Sequence, residues 1–334
     1  MISRRTFISG SLGVIGATST VGFSSLLAGC SGSSTSTADS VLGLTDLQLV
    51  QRFPQVLVPG NVRLPFSLAN QAGLLTTESG LDLPQTLTAK LVNADTQEVV
   101  AESLSADRHD TGLTIPYWPF RVDIDKPGIY TLIVDGGPAE GAAIQVLDAA
   151  QVLIPLVGSQ LPGFDTPTFD DHRGVEPLCT RTPEPCEFHN ITLNEALALK
   201  KPIAYLVGTP AHCQTGTCAP ALESLITVKK SIGDAMTFLH TEIYTDNKAT
   251  TVAPSVVALK MEYEPAIYIT DASGNIIDRF DAVFDADEIN AAIAKAILRN
   301  LNTASKLKIA ANSPSDVTPL ARELFKKMST VRGR

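Results

Sequence analysis

The sequence predicts two consecutive domains, an N-terminal β-sandwich followed by a domain of mixed α/β and α+β character. Three observations predict this. Residues 42–150 contain short apolar runs separated by Pro, Gly, Asn and Asp, without any stretch of helical periodicity. Residues 177–300 instead alternate between helical and strand patterns. The chain of 334 residues is long for one domain, and its 44% hydrophobic content gives each half enough apolar side chains for a core.

The N-terminal domain is predicted from short strand-like runs at 55–58, 87–92 and 130–134. The stretch from Asp125 to Tyr130 resembles the tyrosine corner of immunoglobulin-like domains, in which the hydroxyl ties a loop to the following strand. The alternative is a plain Pro-Gly turn with Tyr130 in the core. The histidine of this half, His109, lies in a polar loop, so we expect a spacer or binding module.

The first thirty residues predict the compartment. Arg4 and Arg5 are followed by Phe7 and Ile8 and by an uncharged, weakly apolar run, which resembles the signal for twin-arginine (Tat) export. The run closes with the four residues Leu-Ala-Gly-Cys that end at Cys30 and match the bacterial lipobox. This resemblance implies a lipoprotein signal peptide at 1–30, cleaved before Cys30, whose lipidation holds the chain on the extracytoplasmic face of a membrane. The alternative is an uncleaved N-terminal anchor with a chance cysteine.

Residues 31–41 are rich in Ser, Thr and Gly, which predicts a flexible tether. The formal charge of the chain is -9, and no basic stripe interleaved with aromatic residues is present, so a nucleic-acid partner is excluded. We expect no cofactor.

The second domain is introduced by residues 158–176, a stretch of Pro, Asp and Thr without periodicity that predicts a linker. Thr192 and Glu195 then form a capping box, which predicts a helix to about residue 199. The elements predicted after it are a strand at 203–207, a helix at 219–232, strands at 236–243, 266–269 and 276–280, and a helix at 285–298. Residues 301–334 contain seven basic and two acidic residues and are predicted to be a basic tail, either solvated or in contact with anionic lipid, with a short amphipathic helix at 318–328.

This order of elements resembles the thioredoxin-like superfamily over about residues 177–298. Cys213 comes directly after a buried strand and before a helix, and Pro265 opens the third strand, where the family has a cis-proline facing the cysteines. The resemblance implies thiol-disulfide exchange, with Cys213 as the attacking thiol, Cys218 as the resolving thiol and Pro265 shaping the partner groove. The spacing departs from the family pattern, because the pair is C-x4-C and Gly216 stands where the second cysteine is expected.

The chemistry of the pair depends on where the helix begins. The amides at a helix start stabilise a thiolate, which is the nucleophile. Five residues apart on one helix, the two cysteines would lie beyond about 7 Å and could not pair. Residues 214–217 are therefore predicted to be a loop, with the helix starting near Cys218 and a Cys213–Cys218 disulfide. Glu264 would disfavour a thiolate and a protonated His212 would offset it, so a redox-active pair and a structural bridge both stay open.

Cys179 and Cys186 enclose a loop with two prolines, which predicts a structural disulfide. The alternative is a zinc or cuprous site, whose candidate ligands are Cys179, Cys186, His189, His212 and Cys213. An oxidising compartment favours the disulfide, so we expect no metal.

The sequence therefore predicts an extracytoplasmic, membrane-anchored protein that exchanges disulfides with exported thiol or disulfide proteins. The alternative is a redox-inactive lipoprotein in which both disulfides are structural and the surface serves a binding or scaffold role.

Overall fold

The computed structural model describes residues 44–310. Arg4, Arg5, Cys30, the tether and the tail beyond residue 310 lie outside the described residues. The strands are β1 (Gln48–Gln51), β2 (Gly60–Asn70), β3 (Gly73–Leu74), β4 (Thr86–Asn93), β5 (Val99–Asp107), β6 (Trp118–Ile124), β7 (Gly128–Val134), β8 (Ala142–Val146), β9 (Ile203–Val207), β10 (Thr237–Thr241), β11 (Ala266–Thr270) and β12 (Ile276–Asp281). The helices are α1 (Leu193–Ala198), α2 (Cys218–Ile232), α3 (Pro254–Ala258) and α4 (Ala286–Ala310). Among the helices of the described residues, none has both the length and the apolar character of a membrane span.

The N-terminal domain consists of two antiparallel sheets around one core. In the first sheet β2 pairs with β1, β3 and β6, and the second sheet has the order β5-β4-β7-β8. Inward-facing side chains of both sheets, such as Phe66, Leu91 and Trp118, form a single buried cluster. The Tyr130 hydroxyl donates to the Lys126 carbonyl over 2.7 Å, so the tyrosine ties the loop before β7 to its own strand. The domain is a β-sandwich, and its closer likeness to immunoglobulin domains stays a prediction.

The strand predicted at residues 55–58 was wrong, because this segment forms no strand. Prolines at Pro54 and Pro59 flank it and remove backbone donors that a sheet needs. Its apolar residues are used elsewhere, since Leu57 is buried in the sandwich core and the Val56 amide donates to the Asp281 carboxylate of the second domain over 3.3 Å.

The second domain has a four-stranded sheet of order β10-β9-β11-β12. Strands β9 and β10 are parallel, while β11 is antiparallel to both β9 and β12. Successive residues of β9 face opposite sides of the sheet: Leu206 joins the core that α2 and α4 cover, and Tyr205 joins the core on the side of α1. Both faces of the two central strands are therefore buried, which explains their continuous apolar sequences.

Most predicted boundaries of this domain are close to those observed. The capping box is present, with the Thr192 side chain accepting from the Glu195 amide and the Glu195 carboxylate accepting from the Thr192 amide. Two differences stand out. Helix α3 was not predicted, and α4 continues to Ala310 instead of ending near residue 298. The extension follows from residues 301–310, which contain neither Gly nor Pro and are rich in helix-forming Ala, Leu and Lys.

Residues 158–176, predicted to be a linker, pack against the second domain. The Gly158 amide donates to the Ile276 carbonyl over 2.8 Å, and the Leu161 amide donates to the Gly274 carbonyl over 2.9 Å. Leu161 is buried in the core on the α1 side. The segment is therefore part of the packed surface of the second domain, although its composition is that of a loop.

A buried polar interface joins the two domains. The Arg63 guanidinium of β2 donates to both carboxylate oxygens of Glu288 on α4, over 2.7 and 2.5 Å, and the Tyr117 hydroxyl donates to the same carboxylate over 2.7 Å. Beside it, His109 Nδ1 lies 2.7 Å from the Asp285 carboxylate, so the polar loop that carries this histidine contacts the second domain. The arrangement holds the sandwich directly against α4.

Candidate functional site

The Cys213–Cys218 pair lies in a loop between β9 and α2. Helix α2 begins at Cys218, and residues 214–217 are not helical, as predicted. The Gly216 amide donates to the Cys213 carbonyl over 3.3 Å and closes a turn. Gly216 has a φ of 69°, a conformation that favours glycine, so it allows the chain to fold the two cysteines back toward each other.

Hydrogen bonds converge on the sulfur of Cys213. The Cys218 amide, the first of α2, donates to Cys213 Sγ over 3.3 Å, and the Thr215 hydroxyl lies 3.3 Å from the same sulfur. A hydrogen bond from the Cys218 thiol is the largest influence, and with the threonine and the amides it outweighs burial and lowers the pKa of Cys213 to about 5. A pKa of about 5 favours the thiolate at neutral pH, and Cys213 is only half-buried.

Cys218 has the opposite environment. It is only 1% exposed, and its Sγ lies 3.6 Å from Glu264 Oε2. Burial, the hydrogen bond to Cys213 and the negative charge of Glu264 raise the pKa of Cys218. Burial, followed by the negative charge of Cys213, raises the pKa of Glu264 to about 8. The pair is therefore asymmetric, with an outer thiolate and an inner thiol beside a carboxyl group of perturbed pKa.

Pro265 lies next to this pair. The Glu264–Pro265 peptide bond is cis, which agrees with the expectation from the sequence. Gly208, directly after β9, separates the two groups: a Cβ at this position would lie 3.3 Å from Pro265 Cβ and 3.5 Å from Cys218 Sγ. A cis-proline thus faces the cysteines of a βαβ unit that continues into an antiparallel β11–β12 pair.

The C-terminal domain has a thioredoxin-like fold. Among solved structures, one similar chain is a thiol:disulfide interchange protein of the thioredoxin family from Chlorobium tepidum TLS. The two chains have 13% sequence identity and a TM-score of 0.31, and the alignment covers 42% of this chain and 97% of that chain. No family model and no curated protein matches the chain. The assignment of the thioredoxin-like fold rests on the strand order, the strand directions and the place of the cis-proline.

The four cysteines of the described region are free thiols in this structure. Cys213 Sγ, Cys218 Sγ and a carboxylate oxygen of Glu264 all lie within 4.8 Å of one another. The two disulfides, Cys213–Cys218 and Cys179–Cys186, are not formed here and stay predictions for an oxidised state of the protein.

A second group of cysteines, together with two histidines, lies deeper in the domain than the Cys213–Cys218 pair. Cys179, Cys186, His189 and His240 are all buried, and one candidate ligand atom of each lies within 4.8 Å of all the others. The ligand set considered from the sequence was therefore only partly right. His212 instead places Nε2 3.2 Å from the Asn247 amide oxygen, and Cys213 belongs to the other pair.

His240 was missed by the sequence analysis. It lies in the buried strand β10, whose sequence is Thr-Phe-Leu-His-Thr, and it is only 1% exposed. A titratable side chain inside a predicted strand was the signal that could have identified it, because a buried residue of this kind needs a polar partner in the core.

Proposed function

We propose that this protein exchanges disulfides with exported partner proteins through Cys213 and Cys218. The observation that carries the proposal is the hydrogen bond from the first amide of α2 to Cys213 Sγ, at 3.3 Å, which places the outer sulfur where a thiolate is stabilised. The buried thiol of Cys218 is the second reactant.

In the first step the Cys213 thiolate attacks one sulfur of a partner disulfide. A Cys213–partner disulfide bond forms, the partner's own S–S bond breaks, and the partner's second sulfur leaves as a thiolate that takes a proton from solvent. The partner disulfide accepts one pair of electrons over the whole cycle, and the two thiols of this chain supply it.

In the second step Cys218 resolves the mixed disulfide. Its proton passes to the Glu264 carboxylate 3.6 Å away, and the resulting thiolate attacks Cys213 Sγ. The Cys213–Cys218 bond forms, the bond to the partner breaks, and the partner leaves as a dithiol once its sulfur is protonated. The reverse sequence oxidises a partner dithiol. Pro265, beside Cys218 across Gly208, shapes the surface on which the partner's chain lies.

The location of this chemistry is a further part of the proposal. The twin-arginine pattern at Arg4 and Arg5 and the lipobox ending at Cys30 support an extracytoplasmic protein that is anchored to the membrane by lipid. The tie between Tyr130 and Lys126 supports an immunoglobulin-like character of the sandwich, which we propose as a docking unit for the partner.

Measuring the reduction potential of the Cys213–Cys218 pair in the full chain, together with its reduction of insulin, tests the proposal. We expect turnover that Cys213→Ser abolishes, and a stable mixed disulfide between Cys218→Ser and its substrate. His212→Asn is a matched control, because His212 is a neighbour of Cys213 that is hydrogen-bonded to Asn247 and takes no part in the steps above.

A potential below about -300 mV without turnover would overturn the proposal. It would favour instead a redox-inactive lipoprotein in which the disulfides are structural and the surface serves binding.

A further inference from the structure

Two cysteines and two histidines lie close together in the interior of the thioredoxin-like domain, apart from Cys213 and Cys218, which we call the exchange pair. Cys186 Sγ lies 3.3 Å from His189 Nε2 and 3.5 Å from His240 Nδ1, and Cys179 Sγ lies 3.7 Å from His240 Nδ1. The four residues are between 1% and 5% exposed. These are soft donors at contact distance in a place where water has little access.

Three sulfur–nitrogen separations in the cluster match those of a tetrahedral metal site. With Zn–S bonds of about 2.3 Å and Zn–N bonds of about 2.0–2.1 Å, the ligand atoms of a tetrahedron lie about 3.3 to 3.8 Å apart. The three separations above fall in that interval. We propose that Cys179, Cys186, His189 and His240 bind one Zn²⁺ ion.

The hydrogen bonds around the cluster orient its donors for this purpose. His240 Nε2 lies 3.0 Å from the Gly208 carbonyl, which can only accept, so Nε2 carries the proton. The lone pair of neutral His240 is then on Nδ1, the atom that faces both sulfurs. A metal-binding histidine commonly donates its other ring N–H to a backbone carbonyl in this way. The Cys186 amide also donates to Cys179 Sγ over 3.5 Å, which suits a thiolate.

A disulfide between Cys179 and Cys186 explains the cluster less well. His189 is 1% exposed, and its Nδ1 has no hydrogen-bond partner among the described residues. Next to a disulfide, whose sulfurs are poor acceptors, Nε2 of the same buried ring would also lack a strong partner, and burying unpaired polar atoms is costly. Coordination of Zn²⁺ gives Nε2 a strong partner and leaves Nδ1 as the one unpaired atom of the ring, and two thiolates neutralise the charge of the ion.

The site is closed and therefore structural. Four protein donors fill a tetrahedron and leave no position for a substrate. Between Gln151 and Leu193 the chain has neither helix nor strand, and three of the ligands lie in this irregular segment while His240 lies on β10. The ion would fasten that segment to the sheet, next to Gly208 and the exchange pair.

Metal content of the reduced full chain tests the proposal. We expect one zinc per chain by elemental analysis, and after Co²⁺ replacement an absorption spectrum with the visible bands of a tetrahedral ion and thiolate-to-metal charge transfer. In His240→Asn and Cys186→Ser zinc affinity should fall at least about 100-fold.

Two controls separate this site from the proposed function. The double variant Cys213→Ser and Cys218→Ser removes the exchange pair and should keep the zinc, as should His212→Asn. Three outcomes would overturn the proposal: no zinc uptake by the reduced chain, uptake that the double variant abolishes, or an octahedral cobalt spectrum in the unmodified chain. The last measurement needs no ligand variant and so does not depend on whether such a variant folds.

Discussion

Cys218 Sγ lies 3.6 Å from Oε2 of Glu264, the residue directly before the cis peptide bond of Pro265. Burial raises the pKa of Glu264 to about 8, and the charge of Cys213 adds to the effect. Near neutral pH this carboxyl group therefore exchanges protons readily. A buried thiol that must ionise to react thus has a proton acceptor within contact distance.

Glu264→Gln should slow resolution of the mixed disulfide by about 100-fold near neutral pH, the lower end of what a general base contributes. The charge of Cys213 is absent from the mixed disulfide, so in the unmodified protein the rate should rise with pH through an inflection at or below about pH 8. The variant should lack that inflection. Rapid-mixing kinetics of partner release across this pH range measure both effects. The matched control is Glu262→Gln, an exposed carboxylate two residues earlier that should change neither.

The low pKa of Cys213 should depend on the hydrogen bond from Cys218. Cys218→Ala removes the S–H donor and should raise the pKa of Cys213 from about 5, since that bond is its largest cause. Cys218→Ser keeps a donor and should raise it less. Thiolate absorbance or the rate of alkylation against pH gives the two values. A pKa that stays at about 5 in both variants would show that Thr215 and the amides stabilise the thiolate without the Cys218 thiol.

Removing only one member of the buried Arg63–Glu288 ion pair should destabilise the protein. Arg63→Met leaves the Glu288 carboxylate buried without its cation and should lower the free energy of unfolding by about 3–5 kcal/mol. The double variant Arg63→Met and Glu288→Leu should be less destabilised than Arg63→Met, because no uncompensated charge remains. Urea denaturation of the full chain measures both. A double variant that is less stable than either single variant would contradict this account.

The contact between His109 and Asp285 should make stability depend on pH. Burial lowers the pKa of His109, but the hydrogen bond and charge of Asp285 outweigh it and raise the pKa above the usual 6.5. Such a group stabilises the fold fully below about pH 6.5, and the contribution is lost as the pH rises through its folded pKa. Burial raises the pKa of Asp285, but the hydrogen bond and charge of His109 outweigh it and lower the pKa below the usual 3.8. The stabilisation from Asp285 is therefore lost only as the pH falls below 3.8.

His109→Asn should therefore cost up to about 1 kcal/mol at pH 5.5 and less at pH 8.5. Urea denaturation at the two pH values gives the difference. His172→Asn is the control, because His172 Nδ1 lies 2.8 Å from the Glu176 carboxylate in a largely exposed contact that should contribute little to stability. An equal cost at both pH values would contradict a charged His109.

The thioredoxin-like half could be predicted well because its signals are local. The strand at 203–207 has the observed bounds, since a short apolar run after a Lys-Pro pair leaves few alternatives. The loop at 214–217 could be predicted from the geometry of a helix, which keeps cysteines at this spacing apart. Both inferences needed only neighbouring residues.

The contacts that join distant parts of the chain could not be predicted. Arg63 and Glu288 are 225 residues apart, and His240 is 61 residues from Cys179. In both cases a polar residue in a buried strand was the available signal, but it does not identify the partner. The packing of residues 158–176 on the second domain could not be predicted for a related reason, because a loop that packs on a domain has the same composition as one that does not.

The contact of Arg63 with Glu288 on α4 makes each domain of this protein depend on the other. A C-terminal fragment that kept the sulfur chemistry would carry Glu288 without its cation, and a sandwich fragment would carry the reverse defect. Shuffling either half onto another protein would require the recipient to supply the missing charge. Recombination should therefore move the two domains together, as one unit.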